Sequence, residues 1–278
     1  MCKYCTEYGD GNKWYLNPAN YRDELFSAEI HEGTVKMLGG AGKNTFEVGA
    51  MAQTDIIASD LFNTGYLNMG VENMTAHGGQ IVPLEDALKI LDLCQEPFLL
   101  MHCGCRRYFG RSDVKRCLFF WPVAKTAMKE RPWEKDTEIL TKEQAKNFER
   151  DCDKKGFLHS IWHAGVNADG IPPIVMCHCT ATDCVPTKFR IDYGIMNSQR
   201  KGEYVSIIDP QRCKDGCASY PACQHRCQFG AMKYSPVDKI MYIDPQLCFG
   251  CGLCRSACSK GAIHLAKRTT FPSLVDNW

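Results

Sequence analysis

Cysteine is the residue type through which this chain can do chemistry. It holds 18 of the 278 positions, far above ordinary usage. Near the C-terminus, Ile208-Asp209-Pro210-Gln211-Arg212-Cys213 recurs as Ile243-Asp244-Pro245-Gln246-Leu247-Cys248, and such a repeat marks two copies of one unit. The copies end alike, in Cys227-Gln228-Phe229-Gly230-Ala231-Met232 and Cys258-Ser259-Lys260-Gly261-Ala262-Ile263. The second copy reads C-x2-C-x2-C-x3-C, the first C-x3-C-x5-C-x3-C. Three thiolates in one tight turn can bind three irons of a cubane, and the fourth ligand then comes from the other copy. This assigns Cys213, Cys217, Cys223 and Cys258 to one [4Fe–4S] cluster, and Cys248, Cys251, Cys254 and Cys227 to a second. Zinc sites are usually built from separated C-x2-C pairs instead. Gln228 and Ser259 depart from the motif, which has proline after the last cysteine.

A second group lies upstream. Cys103-Gly104-Cys105 and Cys177-His178-Cys179 each follow a short apolar run, 98–101 and 174–176. The two C-x-C pairs can converge if their strands are neighbours, with Cys117 and Cys184 as natural completions. Cys103, Cys105, Cys117, Cys177, Cys179 and Cys184 are therefore the candidate ligands of a further metal, a third [4Fe–4S] cluster or a zinc ion. More thiols are present than one four-ligand site uses. His102 and His178 are read as hydrogen-bonded structural histidines. Cys94 and Cys152 are read as small core residues. Cys2 and Cys5 are half of a metal site or an exposed pair at a mobile end. Arg106, Arg107 and Arg111 read as a solvated basic face.

The elements that must position these residues can be outlined. Asn17-Pro18 resembles a helix start, with a helix expected to run to Leu38 and stop at Gly39-Gly40. Pro83 opens another, with Leu84, Leu88, Leu91 and Cys94 as its apolar stripe. Thr141-Lys142-Glu143-Gln144 is a capping-box pattern; its helix carries Ala145, Phe148 and Cys152 and closes at Gly156. The polar segment 194–202 reads as a linker. The expected fold is α+β: a mostly helical, cysteine-rich N-terminal domain with short strands, then a ferredoxin-type dicluster domain of βαβ, pseudo-twofold form. The expected divisions are 1–80, a helical region of unknown role; 81–193, the cysteine-rich domain; 203–268, the 2[4Fe–4S] domain; and 269–278, a tail.

On these residues the chain resembles a family of uncharacterised 4Fe-4S-binding proteins of anaerobic bacteria, in which a cysteine-rich domain precedes a dicluster ferredoxin. The matching features are Pro83-Leu84-Glu85-Asp86-Ala87-Leu88, Cys103-Gly104-Cys105-Arg106, Cys117, the capped helix with Glu143 and Ala145, Gly156-Phe157-Leu158-His159, and Cys177-His178-Cys179. The resemblance runs from about Val82 to Lys267, and residues before about Gln80 lie outside it. It implies an iron–sulfur protein of anaerobic electron transfer.

Composition bounds the rest. A formal net charge of +1 gives no field that would favour nucleic acid. No apolar stretch approaches the roughly 18 residues of a membrane span. The start of the chain shows no signal peptide, so the cysteines are expected to serve metals in a reducing cytoplasm. Gly39-Gly40-Ala41-Gly42-Lys43-Asn44 lacks the spacing of a phosphate loop. The expected function is electron transfer, as a non-catalytic relay subunit of an anaerobic oxidoreductase. Its partner would be a flavin- or metal-containing redox protein or a second copy. The tail residues Phe271, Leu274, Val275 and Trp278 are a candidate anchor for that partner. The alternatives are a metal-dependent redox-sensing or binding module, and an enzyme with substrate at an N-terminal metal.

Overall fold

The computed structural model describes residues 3–26, 77–130, 136–163, 169–194, 196, 198–213 and 221–278. Helix α1 (Lys3–Tyr8) opens the chain. The expected helix from Asn17 is a different object over the described residues. Asn17 does cap Pro18–Tyr21, accepting a hydrogen bond from Ala19 N, but the turn is 3-10 and a second one, Asp23–Leu25, follows. The remainder of that expected helix, like the Gly39–Asn44 stretch, lies outside the described residues. The segment 3–26 packs through Tyr4, Cys5, Trp14 and Tyr15 into the main core. Trp14 donates its indole N–H to Gln80 at 2.6 Å.

The cysteine-rich region mixes helices with short strands, and the strands join into one sheet that organises it. Its seven strands are β1 (Gly79–Val82), β2 (Phe98–His102), β3 (Lys115–Phe119), β4 (Glu138–Leu140), β5 (Leu158–His163), β6 (Pro173–Cys179) and β7 (Gln199–Arg200). They lie in the order β4-β2-β3-β6-β5-β1-β7. All neighbours are antiparallel except β1 and β7. Strands β2 and β6 are buried on both faces over Phe98–Met101 and Pro173–Met176, so these stretches read as continuous apolar runs without the alternation that marks a half-exposed strand.

Register sorts the side chains. Leu100, Leu118, Met176 and Ile161 lie opposite one another and face the main core. That core includes α2 (Leu84–Leu93) and α5 (Lys142–Lys155). Ala87, Ile90 and Leu91 are the buried apolar residues of α2, so its stripe is turned from the expected Leu84, Leu88, Leu91 set. Leu99, Met101, Phe119 and Val175 face the other side, under Val123, Ala124 and Ala127 of α4 (Val123–Glu130). Helix α3 (Gly104–Tyr108) follows β2 directly. Helix α5 starts with the full capping box of Thr141 and Gln144, and ends at Gly156, whose φ of 88° suits a residue without a side chain. Helix α6 (Val185–Tyr193) leads to β7. The segment expected as a polar linker is thus partly an edge strand, with Ser198, Gln199, Arg200 and Lys201 buried, and the division at 80/81 passes through β1.

Beyond it, β8 (Tyr204–Ile208) pairs with β11 (Ile263–Lys267), and β9 (Met232–Ser235) with β10 (Ile240–Ile243). Three short helices lie between: α7 (Pro210–Cys213), α8 (Ala222–Arg226) and α9 (Leu253–Ser256). The sequence repeat is also a repeat of hydrogen bonds. Asp209 N donates to Ala262 O and Asp244 N to Ala231 O, each at 2.8 Å. The Asp209 and Asp244 carboxylates accept from the Gln211 and Gln246 amides, each at 2.9 Å. The tail folds back: Leu274 is fully buried and Trp278 is 8% exposed. Trp278 stacks near the Arg200 and Arg268 guanidiniums, each 5.7 Å from its ring. Phe271 packs beside Leu274, so three of the four proposed anchor residues are packed on their own chain, and Val275 is exposed.

Candidate metal centres

The repeat geometry brings the C-terminal cysteines into groups. Cys227, Cys248, Cys251 and Cys254 together line one small space, walled by Phe229, Ala231, Met232, Ile243 and Phe249. Phe229 and Phe249 stack with centroids 3.8 Å apart. Backbone amides point at sulfur: Ser206 N and Gly250 N lie 3.4 Å from Cys248 Sγ. Met241 N and Ala262 N lie 3.3 Å from Cys213 Sγ and Cys258 Sγ. Gly250 has a φ of 70°, and a Cβ there would fall 2.2 Å from Tyr204 O, so the turn that presents Cys251 needs glycine. Burial and the neighbouring Cys254 push the Cys251 thiol well up. Burial pushes Cys254 to about 12, against the Ser206 hydroxyl that donates toward it. Thiols raised in this way ionise when a cation displaces their protons.

Four convergent sulfurs in an apolar space, with amide N–H groups aimed at them, suit an iron–sulfur cluster. Cys213, Cys223 and Cys258 form the corresponding second group, packed with Met232, Met241 and Ile263. Cys217 lies outside the described residues.

Comparison with known proteins agrees with this chemistry. Residues 241–264 match the 4Fe-4S binding domain family. The C-terminal region is a ferredoxin-like 4Fe-4S domain. The chain is also similar to an uncharacterized ferredoxin of Methanocaldococcus jannaschii, 37% identical over 65 residues, which are 23% of this chain and 34% of that protein. The match thus spans about a third of the relative's length. No solved structure matches the chain.

The ferredoxin-like domain is joined to the sheet by the residue at which its motif departs from the usual form. Gln228 accepts from Ala181 N and donates to Gly156 O, both at 2.6 Å. Proline there has no amide side chain to make either bond. Arg255 adds a paired contact to Glu85 at 2.6 and 2.9 Å.

The six upstream cysteines come together at one end of the sheet. Cys103, Cys179 and Cys184 are buried in contact with one another, with Cys105, Cys117 and Cys177 packed around them. Cys103 Sγ is 3.9 Å from Cys179 Sγ, and Cys117 Sγ is 3.9 Å from Cys177 Sγ. The route differs from the expected one. β2 and β6 are not neighbours; β3 runs between them, and Cys117 sits opposite Cys177 as the link. Hydrogen bonds from Cys105, Cys117 and Cys179 hold the Cys103 thiol well below its ordinary range against the opposing effect of burial. A hydrogen bond from Cys179 also lowers the Cys184 thiol. Such thiolates are ready metal ligands.

Other cysteines and basic residues fall elsewhere. Cys94 and Cys152 are core residues. Cys5, expected to be exposed or half of a metal site, is 1% exposed and donates to Glu203 at 3.1 Å; Cys2 is outside the described residues. Arg106 is not a solvated cation. Its side chain is 4% exposed and bonds Asp183 at 3.0 Å, and Arg111 reaches the same carboxylate at 2.7 Å. Asp183 precedes Cys184, so these ions tie the Cys103–Cys105 turn to the Cys179–Cys184 turn. Arg106→Met is expected to cost about 3 kcal/mol, the low end for breaking a buried pair, because Arg111 still faces Asp183. Denaturant unfolding checks this, and a loss below about 1 kcal/mol would show the pair to be screened by water.

Proposed function

We propose that this chain is an electron-relay subunit of an anaerobic, cytoplasmic oxidoreductase, with two [4Fe–4S] clusters in a pseudo-twofold dicluster domain and a further metal on the upstream thiols. The observation that carries this reading is the convergence of Cys227 from one repeat with Cys248, Cys251 and Cys254 from the other. That crossover is the ligand exchange a two-cluster ferredoxin requires. When bound, such clusters supply reversible one-electron chemistry. The chain's own residues do the rest. Phe229 and Phe249 keep water from the sulfurs, and the Ser206, Gly250, Met241 and Ala262 amides withdraw charge from them, which tunes the potential upward.

A relay subunit also needs a partner. Ile191, Met196 and Leu247 are 49, 52 and 42% exposed, and they line an open recess with Phe249 beside the four-cysteine space. A flavin- or metal-bearing redox protein, or a second copy, docking there would shorten the path to the nearer cluster. Among the described residues no helix is long and apolar enough to cross a membrane. The test is anaerobic isolation with iron, acid-labile sulfide and zinc counted per chain. About eight irons with equal sulfide support the two clusters. Additional iron and sulfide identify a third cluster on the upstream thiols, whereas zinc without sulfide there identifies a zinc site. Absence of sulfide would end the reading.

A further inference from the structure

Strand β6 alternates, so Cys177 and Cys179 face the upstream thiols while His178 points through the opposite side of the sheet. There it meets His159, its register partner on β5, and Glu149 from α5. All three side chains are fully buried. Glu149 Oε2 lies 2.7 Å from His178 Nε2 and 2.7 Å from His159 Nδ1, and one donor atom from each residue falls within 4.8 Å of the others.

The outer nitrogens are directed at acceptors. His178 Nδ1 lies 3.0 Å from Arg116 O. A carbonyl only accepts, so this nitrogen carries a proton, and Nε2 is the nitrogen that hydrogen-bonds Glu149 Oε2, the contact a metal would replace. His159 Nε2 points toward Asp153 Oδ1 at 3.9 Å, leaving Nδ1 for the centre. His178 is held as metal-binding histidines are, its ring oriented by a carbonyl at the far nitrogen. The contact of His159 with Glu149 is close but off the N–H direction. Neither nitrogen of His159, nor Glu149 Oε1, makes a hydrogen bond. Buried polar atoms normally find partners, and an aligned imidazolium–carboxylate pair would have used them.

From this we infer a metal site that is separate from every cysteine: Glu149, His159 and His178 bind one borderline divalent cation, zinc or iron(II), through Glu149 Oε2, His159 Nδ1 and His178 Nε2. Two imidazoles and one carboxylate are a donor set for these ions. Donors about 2.1 Å from a tetrahedral ion sit roughly 3.4 Å apart, so Glu149 Oε2 and each imidazole nitrogen, now 2.7 Å apart, must part by about 0.7 Å to admit it. The Glu149 and Asp153 carboxylates balance its two charges, which burial demands.

Zinc alone, added to the full-length chain isolated anaerobically, is the probe, and X-ray absorption at the zinc edge is the readout. The expected spectrum contains nitrogen and oxygen ligands at about 2.0–2.1 Å. Glu149→Gln and His159→Gln should each remove that shell and about one zinc per chain, with iron content unchanged as the sign that the variants fold. Zinc on the upstream thiols contributes sulfur at about 2.3 Å and is untouched by either substitution. A wild-type spectrum with no nitrogen or oxygen shell overturns the site, as does a shell that persists in both variants. Neither outcome depends on the cluster count.

Discussion

Cys254→Ala is expected to remove about four irons per chain from the anaerobically purified protein, half of the ferredoxin-like domain's content of about eight. Cys254 is 6% exposed and shares its small space with Cys227, Cys248 and Cys251. Alanine leaves three sulfurs, with the neutral Ser206 hydroxyl, 3.3 Å from the lost Sγ, as the nearby oxygen, and a cubane held by three thiolates there is exposed to loss of iron. The other group, Cys213, Cys223 and Cys258, keeps its ligands. Cys152→Ala is the control. Cys152 is equally buried but packs in α5 away from the other thiols, so iron should not change and stability should fall by roughly 1 kcal/mol. Iron and sulfide analysis of the two variants decides the matter. Equal loss from both would mean that instability, not ligation, removes iron.

The second large effect is expected at the upstream thiols. Cys103 touches Cys105, Cys117 and Cys179 through sulfur, so it stands at the middle of the group. Cys103→Ala should abolish metal bound there, whether zinc or a cluster, and leave the iron of the ferredoxin-like domain in place. Because the C-x-C turns, β3 and the start of α6 all meet at this point, loss of the metal should also lower the thermal midpoint by several degrees. Chelation of the wild-type protein should imitate the variant, since metal binding is part of folding free energy where ligands come from separate elements. Unchanged metal content in Cys103→Ala, with Cys94→Ala as a matched control, would show that Cys103 is not a ligand of any metal held by these thiols.

What the sequence alone determined is what depends on near neighbours along the chain. Three cysteines within one turn, repeated with the same flanking Ile-Asp-Pro-Gln, can be read directly, because the turn itself sets the sulfur positions. The capping box at Thr141 and the glycine stop at Gly156 are legible for the same reason: each is a hydrogen-bonding arrangement closed within a few residues. Tertiary structure decided the rest. The β-strands bearing the C-x-C pairs are short and buried on both faces, so no alternation announced a seven-stranded sheet, and nothing local showed that β3 would pass between β2 and β6 and bring Cys117 to the centre. Arg106 looked like a surface cation until Asp183, far along the chain, was folded onto it. Gln228 looked like a lapse in a motif until Gly156 and Ala181 were placed against it. His178 gave no sign of Glu149 and His159, since only strand register and the packing of α5 bring three such groups to one buried point. Spacing fixes ligands that share a turn; ligands that meet across a sheet are fixed by register and burial, which one-dimensional patterns do not carry.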